Sequence, residues 1–76
     1  MAETVYSATK VFNSLHGEWV LSVDAGTGSV AVECQHGTDN WVTMETFSAD
    51  TVQTIEFGRG RIYRFTVTGD ATYALG

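Results

Sequence analysis

The chain has 76 residues, so it forms one domain with no room for a second core. Its four basic against nine acidic side chains give a formal charge of −5, which disfavours phosphate-rich partners, because affinity for nucleic acid rests largely on neutralising phosphates. With one cysteine, Cys34, an internal disulfide is excluded, and association becomes the cheapest remaining source of stability for so small a core.

The N-terminus, MAETVYSATK, has neither a basic region nor an apolar run, so no signal peptide is expected. No segment is long and apolar enough to suggest a membrane partner. The first candidate strand is "TVYSATKVF"; residues 1–14 form either this strand or an arm laid on a neighbouring subunit. Tyr6, Val11 and Phe12 are its apolar contacts. Next, "GEWVLSVD" alternates, with Trp19, Leu21 and Val23 on one face and Glu18, Ser22 and Asp24 on the other. The Gly-bearing "DAGTG" suits a hairpin connection. "GSVAVECQHG" repeats the alternation, with Val30, Val32, Cys34 and His36 opposite Ser29, Glu33 and Gln35. Period two with one polar face is the signature of an antiparallel sheet.

After the turn "HGTDN" come "WVTMETF", "SAD" and "TVQTIEF"; "GRG" then leads into "RIYRFTVT", and "GD" into "ATYAL". About seven short strands at this spacing predict an all-β domain, a small antiparallel β-sandwich or barrel. Its expected core is Trp19, Leu21, Val30, Val32, Tyr63, Phe65, Val67, Tyr73 and Leu75.

Few residues suggest chemistry. Cys34 and His36 share a strand face, but two ligands and a distant His16 fall short of the three or four that zinc takes. No metal or other cofactor is expected. Cys34 follows Val30 and Val32 on an apolar face and stands next in sequence to Glu33, a setting that does not favour a reactive thiolate. Asp24, Asp39, Asp50 and Asp70 all fall at turns, where carboxylates bond local backbone N–H groups. No catalytic constellation emerges, so the expectation is a non-enzymatic protein. Trp41 follows "HGTDN" at a strand mouth and is the candidate for binding a ligand such as a sugar.

The segment "GRGRIYRF" holds Arg59, Arg61 and Arg64, three of the four basic side chains. Alternation puts Arg61 at the strand mouth on the Tyr63/Phe65 face, Arg64 on the outer face and Arg59 in the turn, so the three make no single basic stripe for nucleic acid. Arginine forks onto carboxylates at protein interfaces, and an interface with an acidic protein surface is the preferred reading. A merely solvated face is the alternative.

The stretches "VAVECQHGTDNWVTMETFSAD" and "GRGRIYRFTVTGDATYAL", ending in Gly76, resemble small virion proteins encoded in tailed-phage structural gene clusters. The resemblance covers about three quarters of the chain, from Gly17 to Leu75. It implies a β-sandwich that is a structural piece of a virion, made in the host cytoplasm. The expected function is a capsid decoration or cement protein that stabilises a phage head as a symmetric homo-oligomer, with a trimer favoured. Its partners would be the major capsid protein or other virion proteins. The alternatives are a carbohydrate- or receptor-binding module of a tail or fibre, and a head–tail connector component.

Overall fold

The computed structural model describes residues 4–76. The described chain folds into eight strands: β1 (Val5–Tyr6), β2 (Lys10–Phe12), β3 (Gly17–Asp24), β4 (Ser29–His36), β5 (Asn40–Phe47), β6 (Thr51–Phe57), β7 (Tyr63–Thr68) and β8 (Thr72–Leu75). Two four-stranded antiparallel sheets result, β1-β8-β3-β6 (sheet A) and β2-β7-β4-β5 (sheet B). Packed together they form a small β-sandwich, which is the expected fold class.

The alternation read from the sequence places the core. Leu21, Val23, Val30, Val32, Tyr63, Phe65 and Tyr73 are buried, joined by Leu15, Phe47 and Phe57. Trp19, Val67, Leu75 and Cys34 lie half-buried against this core. Trp19 therefore sits at the core margin rather than inside it, and its indole N–H donates to the His16 carbonyl at 3.0 Å. A column of rings runs through the centre: Phe65 stacks on Tyr73 at 4.8 Å, and Phe57 meets Tyr63 edge-on at 4.7 Å.

Two features differ from the sequence reading. The N-terminal segment is not one strand but two, β1 on sheet A and β2 on sheet B, so eight strands replace about seven. The chain crosses between the sheets at residues 7–9, and there Thr9 Oγ1 accepts the Val67 N–H at 3.0 Å. This crossing also overturns the arm reading for Tyr6 and Phe12. Tyr6 stacks on Tyr73 at 5.1 Å, and Phe12 meets Phe65 edge-on at 5.4 Å. Both rings close the chain's own core, because two large aromatics bury more area there than any small residue would. Residues 1–3 of the expected arm lie outside the described residues.

A feature on which the sequence reading made no statement lies in β5. Val32 pairs with Glu45 but Glu33 pairs with Thr43, so Met44 is an extra residue, a β-bulge. On the far side of it the phase of the strand reverses. Phe47 pairs with inward-facing Val30, whereas Trp41 pairs with outward-facing Gln35. Strict alternation from buried Phe47 would have sent Trp41 inward.

The sandwich is closed by side-chain to backbone bonds in its loops. Asp70 Oδ1 accepts the Thr27 N–H at 2.8 Å and the Thr27 hydroxyl at 3.1 Å, and Asp50 Oδ1 accepts the Ala25 N–H at 3.0 Å. These two carboxylates tie distant loops together, whereas the turn reading expected bonds to local N–H groups. At the same pole Gly28 passes so close to Thr68 that an added Cβ would sit 1.9 Å from the Thr68 carbonyl oxygen. At the β6–β7 turn the Tyr63 hydroxyl accepts the Gly58 N–H at 2.7 Å and donates back to the Gly58 carbonyl at 3.3 Å. That pair of bonds resembles the tyrosine corner of other sandwiches.

Candidate interaction surfaces

Two outer sheet faces are available for function, and they differ in character. The outer face of sheet B carries the residues singled out from the sequence. Arg64 and Glu33 are directly opposite one another on β7 and β4. Arg64 Nε donates to Glu33 Oε1 at 2.6 Å, and the Thr66 hydroxyl donates to the same oxygen at 2.6 Å. The hydrogen bond from Arg64 holds the Glu33 carboxyl below its usual range, against a smaller opposing effect of burial. The guanidinium also lies over the Trp41 ring, 4.4 Å from its centroid. The β5 bulge makes this contact possible by turning Trp41 outward.

Arg64 thus already has a carboxylate and a ring on its own chain. Its pairing with a second molecule was expected because alternation places it on an outer face, but alternation does not reveal which residue stands opposite. The Trp41 ring face under Arg64 is not available to a sugar, which weakens the case for a stacking platform. The other two arginines do not join Arg64. Arg61 lies before β7 starts, where its Nη2 donates to the Gln35 carbonyl at 3.1 Å and ties down the incoming loop. Arg59 is exposed in the turn and forms no hydrogen bond or ion pair among the described residues. Val11, opposite Arg64 on β2, is 51% exposed, so of the three apolar residues expected to make contacts it alone faces outward. His36 is exposed at the end of β4, and among the described residues no three His, Cys, Asp or Glu side chains group as metal ligands.

The outer face of sheet A is a surface that the sequence reading did not single out. The cross-strand registers Val5↔Ala74, Ser22↔Ala74 and Ser22↔Val52 align Val5, Ala74, Ser22 and Val52 in one row across all four strands. Val20 and Thr54 form the next row. Val52 is 71% exposed, Val5 64% and Val20 44%. Beside the row lies a depression of about 280 Å³, lined by Val5, Ser22, Asp24, Thr72 and Ala74 among others. Acidic side chains border the band, since Glu18 and Glu56 stand directly opposite each other at one end and Asp24 at the other. The signal was present in the sequence, because Val20 and Val52 each fall on the polar face of an otherwise alternating strand. Only the registers show that the two are diagonal neighbours across β3 and β6.

The chain matches no family model, no curated protein and no solved structure. The class defined by the fold is that of a small antiparallel β-sandwich.

Proposed function

We propose that this chain is a non-enzymatic virion structural protein, a decoration or cement subunit that docks as a homo-oligomer on a capsid protein. The observation that carries the reading is the exposed valine band across the outer face of sheet A. Val20 and Val52 are diagonal neighbours on β3 and β6, and Val5 stands across Ala74 and Ser22 from them. Exposed apolar side chains grouped on one face of a small domain suit a place where another protein sits. Covering the three part-exposed valines is worth roughly 2–3 kcal/mol per subunit by transfer free energy. That is a modest sum for one contact and a large one when repeated over a lattice. A subunit that binds only the assembled shell stabilises it by mass action. The acidic border of Glu18, Glu56 and Asp24 fits a docking surface with basic side chains around its apolar centre. The virion setting rests on the resemblance of the Gly17–Leu75 segment described above.

The test is to purify particles from cells that produce the chain and to count its copies by mass spectrometry. Melting temperatures of particles with and without the gene are then compared. The expected result is a fixed stoichiometry and a lower melting temperature for the deletion. Val52→Asp, which adds a charge to the band, should reduce the copy number. Absence of the chain from the particles overturns the proposal.

A further inference from the structure

We infer that β6 is the edge through which two copies of this chain pair, antiparallel and about a two-fold axis, into one continuous eight-stranded sheet. A sandwich has four edge strands, and here three of them are blunted. Strands β1 and β2 are two and three residues long, and β5 carries the bulge at Met44. Short edges and bulges are the usual protections against edge-to-edge pairing. Strand β6, "TVQTIEF", has seven residues, no bulge, no proline, no lysine and a single charge. It is the one long unprotected edge among the described residues.

The hydrogen-bond pattern shows which backbone groups it offers. Val20 exchanges both its bonds with Gly76, donating at 2.9 Å and accepting at 3.0 Å, so its N–H and C=O point toward β8 and away from β6. Val20↔Thr54 is therefore a non-bonded pair of the β3–β6 ladder, as are Ser22↔Val52 and Glu18↔Glu56, which keep its parity. The N–H and C=O groups of Val52, Thr54 and Glu56 consequently face the open edge.

These three residues select the register. When a second β6 runs antiparallel with Thr54 opposite the partner's Thr54, Val52 meets the partner's Glu56 and Glu56 meets the partner's Val52. Three pairs with two bonds each then use every free group, six hydrogen bonds in all. Shifts of one residue reverse the inner and outer faces. Shifts of two lose a pair, and the one toward Asp50 also sets that carboxylate opposite the partner's Glu56. The Thr54 register also brings the ends together. Gly58 falls beside the partner's Asp50, and Arg59, which has no partner among the described residues, comes one step further along. Thr–Thr and opposite-charge neighbours across strands are both favourable. The two-fold arrangement replaces the expected trimer, because an isologous edge closes after two copies.

The inference names the oligomer of the proposed function, but its test needs no particle. Equilibrium sedimentation of the purified chain from roughly 1 µM to 1 mM should give a reversible two-copy species. Thr54→Lys sets two ammonium groups face to face, and Thr54→Pro removes the edge N–H; each should weaken association at least tenfold. Val52→Lys, opposite the partner's Glu56, should preserve or tighten it. Tryptophan fluorescence melts establish that each variant folds, and if Thr54→Pro does not, exposed Thr54→Lys carries the test. A wild-type chain that stays monomeric or forms trimers overturns the pairing. So does an unchanged dimer in Thr54→Lys, or a loss in Val52→Lys equal to that in Thr54→Lys. A monomer still recovered on particles would remove the strand pairing alone, whereas a dimer absent from particles would remove the virion reading alone.

Discussion

Removing the Tyr73 hydroxyl should stabilise the protein, whereas the same change at Tyr63 should destabilise it. Tyr73 is 1% exposed, stacked between Phe65 and Tyr6, and its hydroxyl has no hydrogen-bond partner among the described residues. Burial, with a smaller contribution from Tyr6, pushes its phenol well above the ordinary value. A buried hydroxyl without a partner costs about 1–3 kcal/mol. Tyr73→Phe recovers that cost and forfeits only the dispersion contacts of one atom, each about 0.1–0.2 kcal/mol. A net gain of about 1 kcal/mol follows, equivalent to a rise of about 4–8 °C in Tm for a domain of this size. At Tyr63 the hydroxyl both accepts from and donates to Gly58, so Tyr63→Phe leaves the Gly58 N–H unpaired and should cost about 1–3 kcal/mol. Urea unfolding followed by tryptophan fluorescence measures both variants on one scale. A Tyr73→Phe loss as large as that of Tyr63→Phe would show that the Tyr73 hydroxyl is bonded, and the reasoning would fail.

Two other substitutions test the loop and face assignments. Gly28→Ala drives a Cβ into the Thr68 backbone, which cannot swing aside like a side-chain tip, and should cost about 3 kcal/mol; Gly17→Ala, with nothing within 4 Å but φ +84°, should cost only about 1–2 kcal/mol in thermal unfolding. Arg64→Ala strands the Glu33 carboxylate and should cost about 1–2 kcal/mol after allowance for its partial exposure, with a change in tryptophan emission as the Trp41 ring is uncovered. Because the Glu33 carboxyl is held below its ordinary 4.5, its stabilisation is fully present above that pH and is lost as pH falls through the folded value. Acid titration of stability should therefore show a shallower fall in Arg64→Ala, while the part due to Asp70, held below its ordinary 3.8 by Thr27, remains.

Much of the sandwich was legible in the residues themselves. Strands β3, β4, β7 and β8 follow from alternation, because successive side chains of an extended chain point to opposite faces whatever lies beside them. Leu21, Val30, Val32, Phe65 and Tyr73 could be placed inside on that ground alone. That no disulfide forms within these 76 residues follows from the cysteine count. Tertiary structure decided what depends on a neighbour. Only the pairing with β4 shows the extra residue at Met44, and with it the outward turn of Trp41 under Arg64. Only the β4–β7 register gives Arg64 a carboxylate on its own chain. Only the crossing from sheet A to sheet B makes Tyr6 and Phe12 parts of the core. Gly28, read as a turn residue, is required by the passage of Thr68, 40 residues further along the chain. The division has one physical cause. Facing is a local property of an extended backbone, but register, bulges and cross-strand partners arise between segments far apart in the chain, so no local pattern of residues encodes them.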